Sequence, residues 1–213
     1  MSEFISRHPN LKKVFFHELG HYIADAINEK HFGTAPTKLI SFETNIRGEE
    51  NHHRIQYTGK QISEDDNNLN WQHSSNTIDT IPYKIANTLY GCVFQYIYNP
   101  SSDIGNCYRG NGINDAGRIK QCADKFIDSV IKTDRLMHIY ALTEQHAKGL
   151  VKTSIREMVL QWNLNKMLIQ KSGIYKLEVD LLYLNNVSQV IIEVVEEEYL
   201  IFVKRIKQII TTE

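Results

Sequence analysis

His17-Glu18-Leu19-Gly20-His21 is the stretch that decides the predicted fold and chemistry of this chain, because it places two imidazoles four residues apart. On a helix, His17 and His21 lie on one face and can bind one zinc ion. Glu18 is then placed to act as a general base towards a metal-activated water. The pattern therefore predicts a metal-dependent hydrolase, and most directly a peptidase.

The residues around this motif favour one continuous helix. Asn10 can cap it, and Gly33 and Pro36 are expected to end it near Lys30. Its predicted apolar stripe consists of Leu11, Phe15, Leu19, Tyr22 and Ala26. The two histidines lie beside that stripe, so a metal site here would be half enclosed by core. The alternative is a pair of surface histidines with a solvated glutamate between them.

Composition narrows the class of protein. The chain has 213 residues, 42% of them hydrophobic, which predicts a single domain at 1–213 with a metal-site core at 1–133 and a C-terminal helical part at 134–213. With 24 basic and 25 acidic residues and no basic block, nucleic acid is not expected as a partner. No apolar run is long enough to span a membrane, and the first residues lack the apolar core of a signal peptide.

The cysteines bear on the expected compartment. Cys92, Cys107 and Cys122 are an odd number at wide spacing, which predicts reduced thiols in a cytoplasmic protein. Only Cys107, in a predicted loop, is a candidate for a further metal ligand.

Hydrophobic periodicity predicts an α+β fold that is mostly α-helical, with a short β-hairpin or small sheet after the first helix. The predicted strands are 38–43 and 54–58, joined by a turn at 45–53, and a short extended piece is expected at 174–177. Long loops are predicted at 60–80 and 99–112. The further predicted helices are 82–98, 114–132, 134–148, 154–173 and 186–210. A capping box of Ser154 and Glu157 is predicted to begin the helix at 154–173.

A third ligand is needed, since catalytic zinc usually takes three protein ligands and leaves one position for water. Asp115 begins a helix face that continues through Ile119, Cys122 and Phe126. A carboxylate on an apolar face is costly unless a positive charge pairs with it. Asp115 is therefore either a metal ligand or an N-terminal helix cap, and the spacing alone leaves both open.

Other candidates have weaker signals. Asp25 follows His21 by four residues and can accept the other ring N–H of His21, or it can be a solvated charge. His52, His53 and His73 lie in polar segments, where they are ligands, substrate contacts or ordinary exposed histidines. The strand at 38–43 is expected to bind an extended peptide by edge addition.

These motifs resemble those of the peptidase domain of the FtsH-type ATP-dependent zinc metalloproteases. The family's H-E-A-G-H corresponds to residues 17–21, its L-G-G-R-A-A-E-E to Leu89–Tyr96, and its T-G-A-S-N-D-L to the stretch around Asn111–Ala116. The resemblance implies an H-E-x-x-H zinc-peptidase fold with zinc as the cofactor. It also implies that His17, His21 and Asp115 are the metal ligands and Glu18 the catalytic base, with Asn114 as a supporting neighbour.

The sequence departs from this family in two respects. It carries neither the family's ATPase nor its membrane anchor, and Gly59-Lys60 is not a phosphate loop because Arg54 stands where the first glycine would be. We therefore expect a stand-alone, ATP-independent peptidase acting on peptides or unfolded protein, with a separate ATPase or adaptor as a further candidate partner. Gln95 and Tyr96 replace the family's paired glutamates. That replacement keeps open a catalytically impaired, peptidase-like scaffold that binds a protein partner.

Overall fold

The computed structural model describes residues 9–34, 37–47, 54–63, 77–110, 112–127, 132–171 and 176–212. It is mostly helical with a small antiparallel sheet, which confirms the predicted α+β class. In chain order the elements are α1 (Pro9–Phe32), β1 (Thr37–Arg47), β2 (Arg54–Ser63), α2 (Ile81–Tyr98), α3 (Ile104–Arg109), α4 (Ile113–Phe126), α5 (Lys132–Val151), α6 (Ile155–Leu160), α7 (Leu164–Met167), β3 (Leu168–Lys171), β4 (Lys176–Val179) and α8 (Leu181–Thr211).

Helices α1 and α2 pack against each other at the centre of the core. The motif helix forms as predicted, and it ends where Gly33 adopts a φ of 65°, a conformation that glycine reaches without steric cost. Helix α2 is buried nearly all round, also as predicted, and Pro82 lies in its first turn. This pairing buries the motif deeply, because α1 is covered on more than one side from Val14 to Ala24.

The sheet has the strand order β2-β1-β4-β3, with all pairs antiparallel. The predicted hairpin of β1 and β2 is confirmed, and both strands are longer than expected. In β1, Phe42 pairs with Gly59 on one side and with Leu177 on the other. The expectation that the strand at 38–43 binds peptide along a free edge is therefore wrong, because β1 is a central strand. Among the described strands the edges are β2 and β3.

The region after α5 differs most from the prediction. A single helix at 154–173 is wrong: two short helices, α6 and α7, are followed by β3, whose residues pair with β4. The capping box is also wrong, because Ser154 has a helical backbone and its side chain makes no capping hydrogen bond. Residue pairing across the sheet overrides local helix propensity here.

The structure differs from the prediction at three further places. The predicted loop at 99–112 contains the short helix α3, capped by the Asp103 carboxylate, which accepts from the Gly105 N–H at 2.9 Å. Helix α4 ends at Phe126 and not at 132. Helix α8 begins at Leu181, five residues earlier than 186, because Asp180 caps it.

None of the helices in the described ranges is long and apolar enough to cross a membrane.

Candidate metal centre

The two motif histidines meet on one face of α1. Both are buried, and their Nε2 atoms lie 3.2 Å apart. The rings are arranged edge to face, with centroids 4.8 Å apart. Both side chains therefore aim the same nitrogen at one point, as the four-residue spacing predicts. The alternative of an exposed histidine pair is wrong, since each residue is less than a tenth exposed.

Asp115 joins them from the first turn of α4. Its Oδ2 lies 2.9 Å from Nε2 of His17 and 3.5 Å from Nε2 of His21, although the residue is almost fully buried. The N-cap position of α4 belongs to Gly112, so Asp115 is not the helix cap. Its second oxygen, Oδ1, lies 3.5 Å from the guanidinium of Arg118 one turn later.

The spacing of these three donor atoms suits a metal ion. Tetrahedral coordination at zinc–ligand distances of about 2.0–2.2 Å separates neighbouring ligand atoms by about 3.3–3.6 Å. The observed separations are 2.9, 3.2 and 3.5 Å. Two imidazole nitrogens and one carboxylate oxygen are also a donor set that divalent transition metals accept. His17, His21 and Asp115 therefore form a cluster that can hold a metal ion.

Electrostatic attraction between His21 and Asp115 also stabilises the cluster in the absence of an ion. Burial alone would lower the pKa of His21, but the Asp115 carboxylate outweighs it and raises that pKa to about 9. Burial would raise the pKa of Asp115, yet the two histidines hold it well below its usual range. His21 is thus an imidazolium paired with a carboxylate, and it must release a proton before Nε2 can bind a metal.

The predicted partner of His21 is corrected by the structure. Nδ1–H of His21 donates to the backbone carbonyl of Asn87 in α2, at 2.9 Å. Asp25 stands one step further away, where its carboxylate accepts from the side-chain amide of Asn87. The carbonyl takes the role expected of Asp25 because α2 packs directly over the motif. The bond keeps hydrogen on Nδ1, so that Nε2 is the nitrogen that faces the cluster and becomes free once His21 loses its second proton.

The remaining predicted site residues lie in different environments. Glu18 is buried at 9% exposure, and its charge contributes to the raised pKa of His21, so it lies near the cluster. Asn114 is exposed at the start of α4. His52, His53 and His73 lie outside the described residues.

Gly91 covers the cluster from the side of α2. A Cβ atom at this position would lie 2.5 Å from Nε2 of His21 and 2.7 Å from Cε1 of His17. Only a residue without a side chain therefore allows α2 to pass this close to both imidazoles. Local sequence patterns gave no sign of this contact, which depends on how the two helices cross.

Two of the cysteines are not free thiols. Cys92 on α2 and Cys107 on α3 are joined by a disulfide, so the expectation of three reduced cysteines is wrong for this pair. Cys122 is buried and lies outside this disulfide. The turn between α2 and α3 brings the pair together across 15 residues of sequence. The thiol argument for a cytoplasmic location loses its support.

The Cys107 sulfur also lies 3.5 Å from Nδ1 of His17, on the far side of that ring from the cluster.

Comparisons with protein-family models, with curated proteins and with solved structures find no match to this chain. The resemblance to the FtsH-type peptidase domain thus stays a prediction from the motifs.

Proposed function

We propose that this chain is a zinc-dependent peptidase in which His17, His21 and Asp115 hold the metal. One observation carries the proposal: three buried donors from two separate helices converge with mutual distances of 2.9–3.5 Å. Burying a carboxylate and two imidazoles is costly for a fold. A metal ion held between them would offset that cost, and it would give the three side chains a role in catalysis.

Glu18 is the residue we assign to proton transfer. Zinc bound here would lower the pKa of a water molecule and polarise a peptide carbonyl. The Glu18 carboxylate accepts the proton of the attacking water and then delivers it to the amide nitrogen of the departing peptide. Its position in the sequence, directly after a ligand on the same helix, keeps it beside the reacting atoms. Its burial limits competition from bulk water.

The sheet suggests how a substrate is held. Strand β2 packs against α1, the helix that carries the motif, and β2 is an edge of the described sheet. An extended peptide can pair with such an edge through main-chain hydrogen bonds, largely independent of its side chains. We therefore propose flexible or unfolded protein segments as substrates, with β2 replacing β1 as the binding strand.

One observation favours a second candidate, a peptidase-like scaffold that binds a protein partner without cleaving it. The positions that carry paired glutamates in the FtsH-type family are Gln95 and Tyr96 here, both half-buried on α2. Any support that acidic side chains give the site from those positions is lost in this chain.

Metal analysis followed by a hydrolysis assay separates the two candidates. We expect one zinc per purified chain, and cleavage of casein or a quenched peptide that stops with a chelator and returns with added zinc. Zinc without chelator-sensitive cleavage would favour the scaffold. A chain that binds no zinc would contradict the metal centre itself.

A further inference from the structure

A second group of buried donor atoms adjoins the first. It consists of the sulfurs of Cys92 and Cys107 and a ring nitrogen of His17, with all three ligand atoms within 4.8 Å of one another. Nδ1 is the nitrogen of His17 that lies 3.5 Å from the Cys107 sulfur. The three residues are each no more than 3% exposed. Because Cys92 and Cys107 form a disulfide, this donor set becomes available only on reduction. A dithiol reductant breaks the S–S bond and becomes a disulfide itself, leaving two thiols on the protein.

We propose that reduced Cys92 and Cys107, together with Nδ1 of His17, form a second metal site that takes a soft, thiophilic ion. Cysteine thiolates bind soft ions such as Cd²⁺ as well as zinc, whereas the carboxylate of the first cluster suits harder ions, so the two donor sets differ in preference. Binding releases both thiol protons. The backbone of Gly112 lies close to both sulfurs: a Cβ at Gly112 would lie 2.7 Å from the Cys92 sulfur and 3.4 Å from the Cys107 sulfur. Glycine at this position allows the backbone to approach both sulfurs this closely.

The two sites share one imidazole, so they exclude each other. A neutral imidazole has one nitrogen free to bind a metal, while the other carries hydrogen. If Nδ1 of His17 binds the soft ion, Nε2 carries the proton and donates to Asp115, 2.9 Å away. If Nε2 binds zinc, Nδ1–H faces the Cys107 sulfur at 3.5 Å. Reduction in the presence of a soft ion thus empties the hydrolytic site. This competition rests on the proposed function, but the sulfur site does not.

Cadmium titration of the full chain tests the sulfur site. We expect Cd²⁺ to produce a thiolate-to-cadmium charge-transfer band in the ultraviolet, saturating at one ion per chain, in reduced but not in oxidised protein. Cys92→Ser and Cys107→Ser should each lose most of the band. Cys122→Ser, which removes the third buried cysteine, should keep it, and so should Asp115→Ala. Circular dichroism shows whether each variant is folded. Absence of the band in reduced wild type, or its persistence in both Cys92→Ser and Cys107→Ser, overturns the site.

A metal-exchange experiment tests the competition. Oxidised protein loaded with one equivalent of zinc is reduced in the presence of one equivalent of Cd²⁺, and the retained metals are counted by mass spectrometry after desalting. We expect zinc to leave wild type and to remain in Cys107→Ser. Retention of both ions in wild type, or equal zinc loss in the variant, overturns the shared-ligand mechanism. If the oxidised protein takes up no zinc at all, the proposed function fails, while the cadmium band still decides the sulfur site.

Discussion

Gly20 of α1 lies directly against the backbone carbonyl of Tyr90 in α2, with no space between them for a Cβ atom. The glycine of the motif is therefore a packing requirement in this fold. The same close crossing brings Gly91 over both imidazoles and carries the Asn87 carbonyl to Nδ1 of His21. The orientation of the proposed metal ligands His17 and His21 therefore depends on how closely α1 and α2 approach each other.

Gly20→Ala tests this dependence. The added methyl group meets backbone, which cannot rotate away, so the helices must separate; we expect the free energy of unfolding to fall by about 1–3 kcal/mol. Urea denaturation measures it. Gly149→Ala on α5 is the matched control, because a Cβ there meets no atom within 4 Å. The control should be neutral or stabilising by about 0.5–1 kcal/mol. Equal effects of the two substitutions would show that the crossing tolerates a side chain.

Glu18→Gln tests the general base. The amide keeps the size of the side chain but cannot accept the proton of the attacking water, so hydrolysis should fall about 10²–10⁴-fold. Zinc content should stay at the wild-type level, because Glu18 is not a proposed ligand. Glu29→Gln, at an exposed position near the end of the same helix, should leave activity unchanged. Full activity in Glu18→Gln would exclude the proposed mechanism.

Asp115→Ala tests the third ligand. Loss of a hydrogen-bond partner of a metal ligand typically lowers metal affinity 10–100-fold, so loss of a ligand itself should lower zinc affinity by more than about 100-fold. Competition with a chromophoric chelator measures the dissociation constant. Asp124→Ala is the control on the same helix, since Asp124 is exposed and pairs with Lys132 at 2.6 Å. Unchanged zinc affinity in Asp115→Ala would remove this residue from the site.

The parts of the fold that could be predicted are those with local causes. The span of α1 follows from apolar periodicity and from the glycine that ends it, and the pairing of β1 with β2 follows from two neighbouring alternating stretches. Strand β3 could not be predicted in the same way. Its identity comes from pairing with β4, which itself pairs with β1 far earlier in the chain. Such long-range pairing has no signature in the local sequence, which read as helix.

The same distinction applies to the site. The shared face of His17 and His21 follows from helical spacing, and Asp115 was a candidate because a lone carboxylate on an apolar face is costly. The hydrogen bond from His21 to Asn87 could not be predicted, because the acceptor is a backbone carbonyl that every residue type offers. The Cys92–Cys107 pair was missed because its formation depends on the path of the chain between α2 and α3.

A last prediction concerns stability in acid. His146 lies behind α2, where its Nε2 is 3.1 Å from the Tyr90 hydroxyl and its ring stacks on Phe202 at 4.6 Å. Burial, with a smaller contribution from the charge of Arg205, lowers the pKa of His146 to about 4 from 6.5. Between these two pH values the unfolded chain binds a proton that the folded chain does not. The neutral ring therefore contributes its full stability above about pH 6.5, and this contribution is lost as the pH falls towards 4.

We expect the His146 contribution to the free energy of unfolding to fall by about 2 kcal/mol between pH 7 and pH 5. Urea denaturation at both pH values measures it as the difference between wild type and His146→Gln, since glutamine does not titrate. His138→Gln is the control, because His138 is exposed on the same helix and should leave the wild-type pH dependence intact. If His146→Gln loses as much stability in acid as wild type does, the acid sensitivity belongs to groups other than His146.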